Sequence, residues 1–256
     1  PTTLIAGCEC PDTEECQTTF VKTLGQAGPE EGRRLIAEPG GGFLLGGNKG
    51  DSSLLVLLDG EGHPVWERTF KVTPNAGERI VDLYIDSEQF LLGVGITDGP
   101  QFGTFTFKYD YQNGTLLWLK LADPAVYPTS LLLTILEKAP GDNYLVSGQT
   151  QPNGPPGQGC DAVLLELDRN SGNTVWSQNY HLGSCETFNE MIIHANSIYT
   201  TGRYNFAGGG TDKMRPALTQ IDLNGNALWS RLYLVDVAPG VNARLYSTDL
   251  IVDNGL

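Results

Sequence analysis

The sequence predicts an all-β fold built from short antiparallel strands, and three observations support this class. Glycine (32 residues) and proline (15) are abundant, whereas methionine (2) and charged residues (18%) are scarce. This balance favours strands separated by many turns. Short apolar runs are bounded by turns containing Gly, Asn or Asp, and the four tryptophans recur at spacings of 52, 58 and 53 residues.

The tryptophan spacing belongs to a phrase that occurs four times. Trp66, Trp118, Trp176 and Trp229 each follow a glycine four positions earlier, and each glycine follows an aspartate three or four positions earlier. Self-similarity at a period of about 50 residues indicates stacked supersecondary units, usually propeller blades or a solenoid. We therefore predict a β-propeller of four-stranded antiparallel blades, with four full blades and a partial blade at each end.

Each repeat divides into four short strands, A to D. The blades are predicted at about residues 32–70, 77–121, 130–182 and 189–235. Their predicted strands are 33–38, 43–48, 53–59 and 65–70; 79–85, 90–96, 104–110 and 116–121; 131–137, 144–149, 162–168 and 174–180; and 190–195, 198–204, 216–222 and 227–234.

Turn residues support these boundaries. Residues 39–42 and 140–143 form Pro- and Gly-containing turns between strands A and B, and the Asp…Gly phrases lie between strands C and D. Glycine and asparagine tolerate the positive φ that hairpins require, while aspartate accepts backbone N–H groups. The run 54–58 is apolar on both faces, as a strand covered on each side requires. These Asp…Gly turns also offer oxygens to Ca²⁺, but the turn itself demands the same residues.

The ends are out of phase with the blades. Residues 1–17 are predicted to form a cysteine-containing tail or linker before a propeller segment at 18–256. Residues 18–25 resemble a strand D with Phe20 in the tryptophan position, and residues 243–256 contain a run resembling a strand A. We expect a processed or excised piece of a larger chain, with further blades outside it; a closed five-blade ring is the alternative.

Five cysteines bear on the compartment: Cys8, Cys10, Cys16, Cys160 and Cys185. The blade pattern places the last two on one edge of the propeller, Cys160 ending a B–C loop and Cys185 lying in the next D–A loop. We predict a Cys160–Cys185 disulfide, which agrees with an exported protein. The first three favour a small disulfide loop over a Zn²⁺ site, because no nearby histidine supplies a fourth ligand.

The net charge of −14 excludes several partners. Nucleic acids and anionic membrane surfaces bind basic patches, which this composition lacks. No apolar stretch approaches the roughly 20 residues that span a bilayer. We therefore expect neither nucleic-acid binding nor membrane insertion by this segment.

The repeat is similar to that of a known family. The phrase Asp-x-x-Ser-Gly-x-x-Val-Trp at 168–176 resembles the tryptophan-docking motif of PQQ-type β-propeller repeats. Gly-Gly-Phe-Leu-Leu-Gly-Gly at 41–47 resembles the DGGY-type repeats of large secreted and surface proteins of Bacteroidota-like bacteria. The resemblance implies a secreted or cell-surface module in a larger protein, with the four tryptophans as structural docking residues.

The same comparison disfavours an enzyme. Quinoprotein dehydrogenases hold PQQ with a stacked tryptophan, adjacent disulfide-bonded cysteines and Ca²⁺, whereas this chain has no adjacent cysteines. Sialidase-like repeats place tryptophan three positions after glycine, not four. His63, His181 and His194 show no metal-like spacing. We predict no catalytic residue, no cofactor and no metal.

Arginines recur at the start of strand A, at Arg34, Arg79 and Arg244. Innermost strands line the central channel of a propeller, so these residues could surround an anion. Ion pairing with Glu31 and Glu78 is the favoured interpretation.

The B–C and D–A connections emerge on one edge, and most of the long connections are among them. We call this edge the long-loop face. Loops on a rigid scaffold often carry binding residues, and Phe102, Tyr127, Tyr204 and Phe206 are the aromatic candidates for contact with glycan or protein. The favoured function is binding, adhesion or display at a cell surface, with protein, glycan or the rest of the same chain as partner. The alternative functions are a structural spacer and a propeller enzyme. For the loops themselves, the alternative is that they are tolerated insertions without a binding role.

Overall fold

The computed structural model describes residues 29–74, 76–98, 103–122, 131–150, 160–181, 185–205, 214–233 and 250 of the chain. The tail at 1–17, the partial blade at 18–25 and nearly all of 243–256 lie outside the described residues. The described part contains sixteen β-strands and no helix, and accordingly no helix there is long and apolar enough to cross a membrane.

The strands form four sheets of four. Sheet 1 contains β1 (Glu30–Ala37), β2 (Phe43–Lys49), β3 (Ser52–Leu58) and β4 (Pro64–Phe70). Sheet 2 contains β5 (Gly77–Ile85), β6 (Leu91–Asp98), β7 (Gly103–Asp110) and β8 (Thr115–Leu121). Sheet 3 contains β9 (Leu131–Glu137), β10 (Tyr144–Thr150), β11 (Asp161–Leu167) and β12 (Thr174–Tyr180). Sheet 4 contains β13 (Cys185–His194), β14 (Ser197–Asn205), β15 (Met214–Asp222) and β16 (Ala227–Leu232).

Within each sheet the strands pair antiparallel in chain order. In sheets 2, 3 and 4 the first strand packs on the preceding sheet: β5 contacts β1, β2 and β3, β9 contacts β5, β6 and β7, and β13 contacts β9, β10 and β11. The inner strands β1, β5, β9 and β13 therefore follow one another around an axis, as in a propeller. The predicted fold class, an all-β propeller of four-stranded antiparallel blades, is confirmed.

Each inner strand contains a β-bulge at the same position. The register shifts directly after Gly32, Ile80, Leu132 and Phe188. A glycine of the second strand lies opposite each bulge, at Gly47, Gly95, Gly148 and Gly202. A Cβ atom on Gly202 would lie 1.7 Å from the Thr187 carbonyl oxygen, and one on Gly148 would lie 2.0 Å from that of Leu131. The close approach of two backbones therefore requires these glycines.

The core lies between the sheets rather than within one of them. Leu44, Phe105 and Phe107 are fully buried between sheets 1 and 2, and Leu164 and Ile198 are fully buried between sheets 3 and 4. Middle strands are apolar on both faces because a sheet covers each side.

Two tryptophans lie against glycine turns of the next sheet. A Cβ on Gly172 would lie 2.6 Å from Trp118 Cε3, and one on Gly225 would lie 2.9 Å from the Trp176 ring. Trp118 Nε1 also donates to the Arg169 carbonyl oxygen at 3.2 Å. Trp66 instead meets Tyr109 of sheet 2 edge-on, with ring centroids 6.5 Å apart. Trp229 lies against Tyr199 of its own sheet.

The C–D turns are closed by their own polar groups. Asp59 Oδ1 accepts the backbone N–H groups of Glu61 (2.9 Å) and His63 (2.7 Å). Asp222 Oδ1 accepts those of Asn224 (2.9 Å) and Asn226 (2.8 Å). These hydrogen bonds assign the carboxylates a role in the turn.

Candidate functional site

The long-loop face carries a covalent link between two sheets. Cys160 directly precedes β11 and Cys185 begins β13. The two residues form a disulfide, with their Cα atoms 4.2 Å apart, which confirms the predicted pairing. The bond joins sheet 3 to sheet 4 at the edge where β11 and β13 begin.

Three side chains of metal-ligating types gather beside the disulfide. Asp161 and Glu186 each follow one of the cysteines, and His181 directly follows β12. One ligand atom from each lies within 4.8 Å of the others. His181 Nδ1 is 2.8 Å from Asp161 Oδ1. The group is open to solvent on one side only, because the His181 side chain is 74% exposed and Glu186 is 0% exposed.

Opposite charge controls the electrostatics of this group. The hydrogen bond that the imidazole makes to the Asp161 carboxylate, and then the negative charge of Asp161, raise the pKa of His181, and the charge of Glu186 acts in the same direction. A carboxylate beside an imidazole favours the protonated ring. When the His181 imidazole is neutral, the three residues direct one nitrogen and two carboxylate oxygens at the same small volume. These atoms together can coordinate a cation.

A partly buried polar cluster supports the strands around the disulfide. Arg203 donates from Nε to Thr187 Oγ1 and from Nη2 to Gln149 Oε1, both at 3.2 Å. Thr187 Oγ1 also donates to Gln149 Oε1. These three residues come from β10, β13 and β14, so they tie sheet 3 to sheet 4 at the depth of the disulfide.

Only one of the four candidate aromatic residues lies in the described part of the chain. Phe102, Tyr127 and Phe206 lie outside the described residues. Tyr204 is 4% exposed, and burial raises its pKa to about 12. The expectation of a surface contact at Tyr204 is therefore wrong, because β14 extends to Asn205 and pairs Tyr204 with Arg215 inside the sheet.

The residues directly after the bulges line a second concave region. Arg34, Asp82, Thr134 and Glu190 occupy equivalent positions on the inner strands and border a cavity of about 410 Å³. Asp82 Oδ1 is 2.8 Å from Arg34 Nε, and Asp82 Oδ2 accepts the Ile135 N–H at 3.0 Å. Burial raises the pKa of the Asp82 carboxyl, and Arg34 opposes that shift.

The arginines form ion pairs, but the predicted partners are wrong. Arg34 pairs with Asp82 and Arg79 with Asp98. Successive residues of a strand point to opposite faces, so Arg79 cannot reach its neighbour Glu78. Glu78 instead accepts the Val72 N–H at 2.8 Å. Glu31 pairs with Arg33, and Arg244 lies outside the described residues.

Sequence reasoning missed the Asp161–His181–Glu186 group. Asp161 begins β11, 20 residues before His181, whereas Glu186 follows His181 across the β12–β13 connection, so the three residues show no local ligand spacing. One signal was available: an acidic residue follows each cysteine of the predicted disulfide, so the bond itself places two carboxylates side by side.

The comparisons with known proteins concern the fold and show no family for this chain. No protein-family model matches the chain, and no curated protein matches it in sequence. A solved structure of a protein from Lactobacillus plantarum is similar with 16% identity and a TM-score of 0.52, over 87% of this chain and 62% of that one. The extracellular domains 1–2 of Drosophila Semaphorin 1a share 11% identity and a TM-score of 0.48, over 78% of this chain and 39% of that one. This chain thus spans about 62% of the length of the Lactobacillus plantarum protein.

Proposed function

We propose that this propeller is a binding module of an exported or cell-surface protein, and that its long-loop face makes the contact. The Cys160–Cys185 disulfide at that face is the observation that carries the proposal. Disulfides form and persist in oxidising compartments such as the cell exterior. The bond also joins sheet 3 to sheet 4 at this face.

The two edges of the propeller differ in what they offer a partner. On the turn edge, aspartates such as Asp59 and Asp222 are already engaged with the N–H groups of their own turns. On the long-loop face, the exposed His181 directly follows β12, and Phe102, Tyr127 and Phe206, which lie outside the described residues, are by sequence in the connections between strands. Aromatic side chains suit both glycan rings and protein hot spots. These two ligand classes are the proposed partners.

Binding, rather than catalysis, also agrees with the position of the buried network formed by Lys108, Tyr144 and Asp86. Lys108 Nζ donates to Tyr144 Oη at 2.6 Å, and Tyr144 Oη donates to Asp86 Oδ2 at 2.7 Å. These residues are at most 4% exposed, between sheets 2 and 3. A substrate could not reach them, so we assign them to packing between blades.

We further propose that the chain belongs to the tryptophan-docking, PQQ-like repeats and forms part of a longer protein.

One observation favours a spacer as the second candidate. The residue before each tryptophan is apolar and exposed on the outermost strand: Val65 60%, Leu117 45%, Val175 54% and Leu228 54%. Outer strands with such side chains could pack against other modules in a filament.

Binding by the labelled 256-residue chain to a glycan array and to intact bacterial cells tests the proposal. We expect saturable binding that falls at least tenfold in a Phe102→Ala, Tyr127→Ala, Phe206→Ala variant, because aromatic anchors dominate interfaces. The matched control replaces Glu61 and Gln112, which are exposed on the turn edge, and should bind like the parent. Equal loss in both variants, or no binding to either probe, would overturn the proposal.

A further inference from the structure

We propose that Asp161, His181 and Glu186 bind a divalent transition-metal ion of the Zn²⁺ type at the junction of sheets 3 and 4. The ligand atoms already lie within 4.8 Å of one another. Zn²⁺ binds nitrogen and carboxylate oxygen at about 2.0–2.2 Å, so ligands of one ion lie about 3–4 Å apart. Small rotations of the side chains are enough to enclose an ion.

The donor set selects the class of metal. An imidazole nitrogen with two carboxylates suits Zn²⁺ and its neighbours, whereas Ca²⁺ and Mg²⁺ prefer sites made of oxygen alone. Three protein ligands leave at least one coordination position for water or for an atom of a partner. The His181 side chain is 74% exposed, so solvent reaches the site from that side.

Charge also favours a cation here. Two carboxylates lie within 4.8 Å, and Glu186 is 0% exposed. Like charges held together in a poorly solvated site repel each other strongly, and a divalent ion compensates both. The net charge of −14 attracts cations to the protein as a whole.

The backbone holds two of the ligands in place. Asp161 and Glu186 each adjoin a cysteine of the disulfide, and the Glu186 N–H donates to the Cys160 carbonyl oxygen at 2.7 Å. A site whose ligands cannot separate loses little conformational entropy on binding.

An equivalent junction elsewhere in the propeller serves as an internal comparison. Glu78 is the second residue of β5, as Glu186 is of β13. Beside Glu78, the positions of Asp161 and His181 are held by Ser52 and Lys71, since Ser52 pairs with the end of β2 and Lys71 follows β4. A glutamate therefore occupies this position at both junctions. Its presence does not account for Asp161 and His181, which have no metal-ligating counterparts beside Glu78. The pair of added ligands distinguishes the junction of sheets 3 and 4.

Calorimetric titration with zinc chloride tests the site directly. The chain is first alkylated without reduction, so that the disulfide survives and any other thiols are blocked. We expect one Zn²⁺ per chain, affinity at least tenfold lower in His181→Ala and in Asp161→Asn, and weaker binding of Ca²⁺ than of Zn²⁺. Zinc should also raise the melting temperature of the parent and not that of His181→Ala.

His63 provides the matched control. Its side chain is 57% exposed, and Nδ1 lies 3.2 Å from Asp59 and 3.6 Å from Glu61, so it offers a similar pairing without a buried carboxylate. His63→Ala should keep parental zinc affinity. No zinc binding, an equal loss in His63→Ala, or Ca²⁺ binding as tight as Zn²⁺ would overturn the proposal. Because no partner is present in the titration, its result is independent of whether the long-loop face binds glycan or protein.

Discussion

The glycines opposite the bulges lack a Cβ atom, and this absence lets the second strand approach the bulged inner strand closely. We expect Gly202→Ala to lower the free energy of unfolding by about 1–3 kcal/mol or more, as in overpacked sites. The new Cβ would lie 1.7 Å from the Thr187 carbonyl oxygen, so the backbone must move. Urea denaturation measures the change.

Gly77→Ala is the control for this substitution. A Cβ on Gly77 would meet its nearest atom at 3.6 Å, an ordinary contact. The control should stay within about 0.5 kcal/mol of the parent. If both variants lose the same stability, close approach of the strands is not the cause.

Lys108 is a second residue whose surroundings make a sharp prediction. Its ammonium lies 3.3 Å from Asp86 in the buried network with Tyr144. Lys108→Met leaves the Asp86 carboxylate without that cation, so we expect a loss of about 3–5 kcal/mol, the typical effect of breaking a buried pair. Chemical denaturation followed by tryptophan fluorescence measures it.

The exposed ion pair of Lys49 with Glu67 offers the comparison. Lys49→Met should change stability by no more than about 1 kcal/mol, since solvent screens exposed pairs. A Lys108→Met variant as stable as Lys49→Met would contradict a role for the buried network in holding sheets 2 and 3 together.

At the scale of elements, the Cys160–Cys185 disulfide is a covalent cross-link between two blades. Cys160→Ser with Cys185→Ser should lower the free energy of unfolding by about 2–4 kcal/mol. The bond closes a loop with a sequence separation of 25 residues, which limits the unfolded chain. Denaturation without reductant measures the loss, and reducing the parent should reproduce it. An unchanged midpoint in both cases would contradict the prediction.

The strands were predictable because their pattern is local, and the candidate site was not. Gly and Asn turns alternate with apolar runs, so β9 and β12 begin and end where the sequence predicts. The strand β13 begins at Cys185, five residues earlier than predicted, because a bulge after Phe188 lets it continue past an interrupted pattern. The pairing of β11 with β12 brings His181 beside Asp161, and Glu186 joins them only where sheet 4 packs on sheet 3, an arrangement that no local pattern encodes. The bulges were missed for the same reason, although the recurring glycines mark their positions.

For the whole molecule, the repeated turns imply sensitivity to acid. Hydrogen bonds within the turn lower the pKa of four aspartates: Asp59, Asp110, Asp168 and Asp222. A carboxyl whose pKa is lower in the folded state stabilises the fold above its unfolded pKa, and loses that contribution as pH falls through the folded value. We therefore expect stability to fall as the pH drops below about 4.

Melting temperatures between pH 7 and pH 2.5 check this expectation. The decline should begin near the ordinary pKa of aspartate, about 3.9, and continue below it. Asp222→Asn, which cannot ionise, should show a shallower decline than the parent. A melting temperature that stays constant or rises through this range would contradict the prediction.

The bond between Cys160 and Cys185 has a mechanical consequence. When the chain is pulled from its ends, the blades unfold under force. A blade without a disulfide can then add its full contour length to the extended chain. The segment enclosed by the disulfide cannot, because its ends stay 4.2 Å apart across a separation of 25 residues. The fully stretched oxidised chain should thus be about 80 Å shorter than the reduced one. Single-molecule force measurements with and without reductant would show that difference as a change in the extension of the unfolded chain. The extension would then report whether the surroundings keep the disulfide oxidised or reduced.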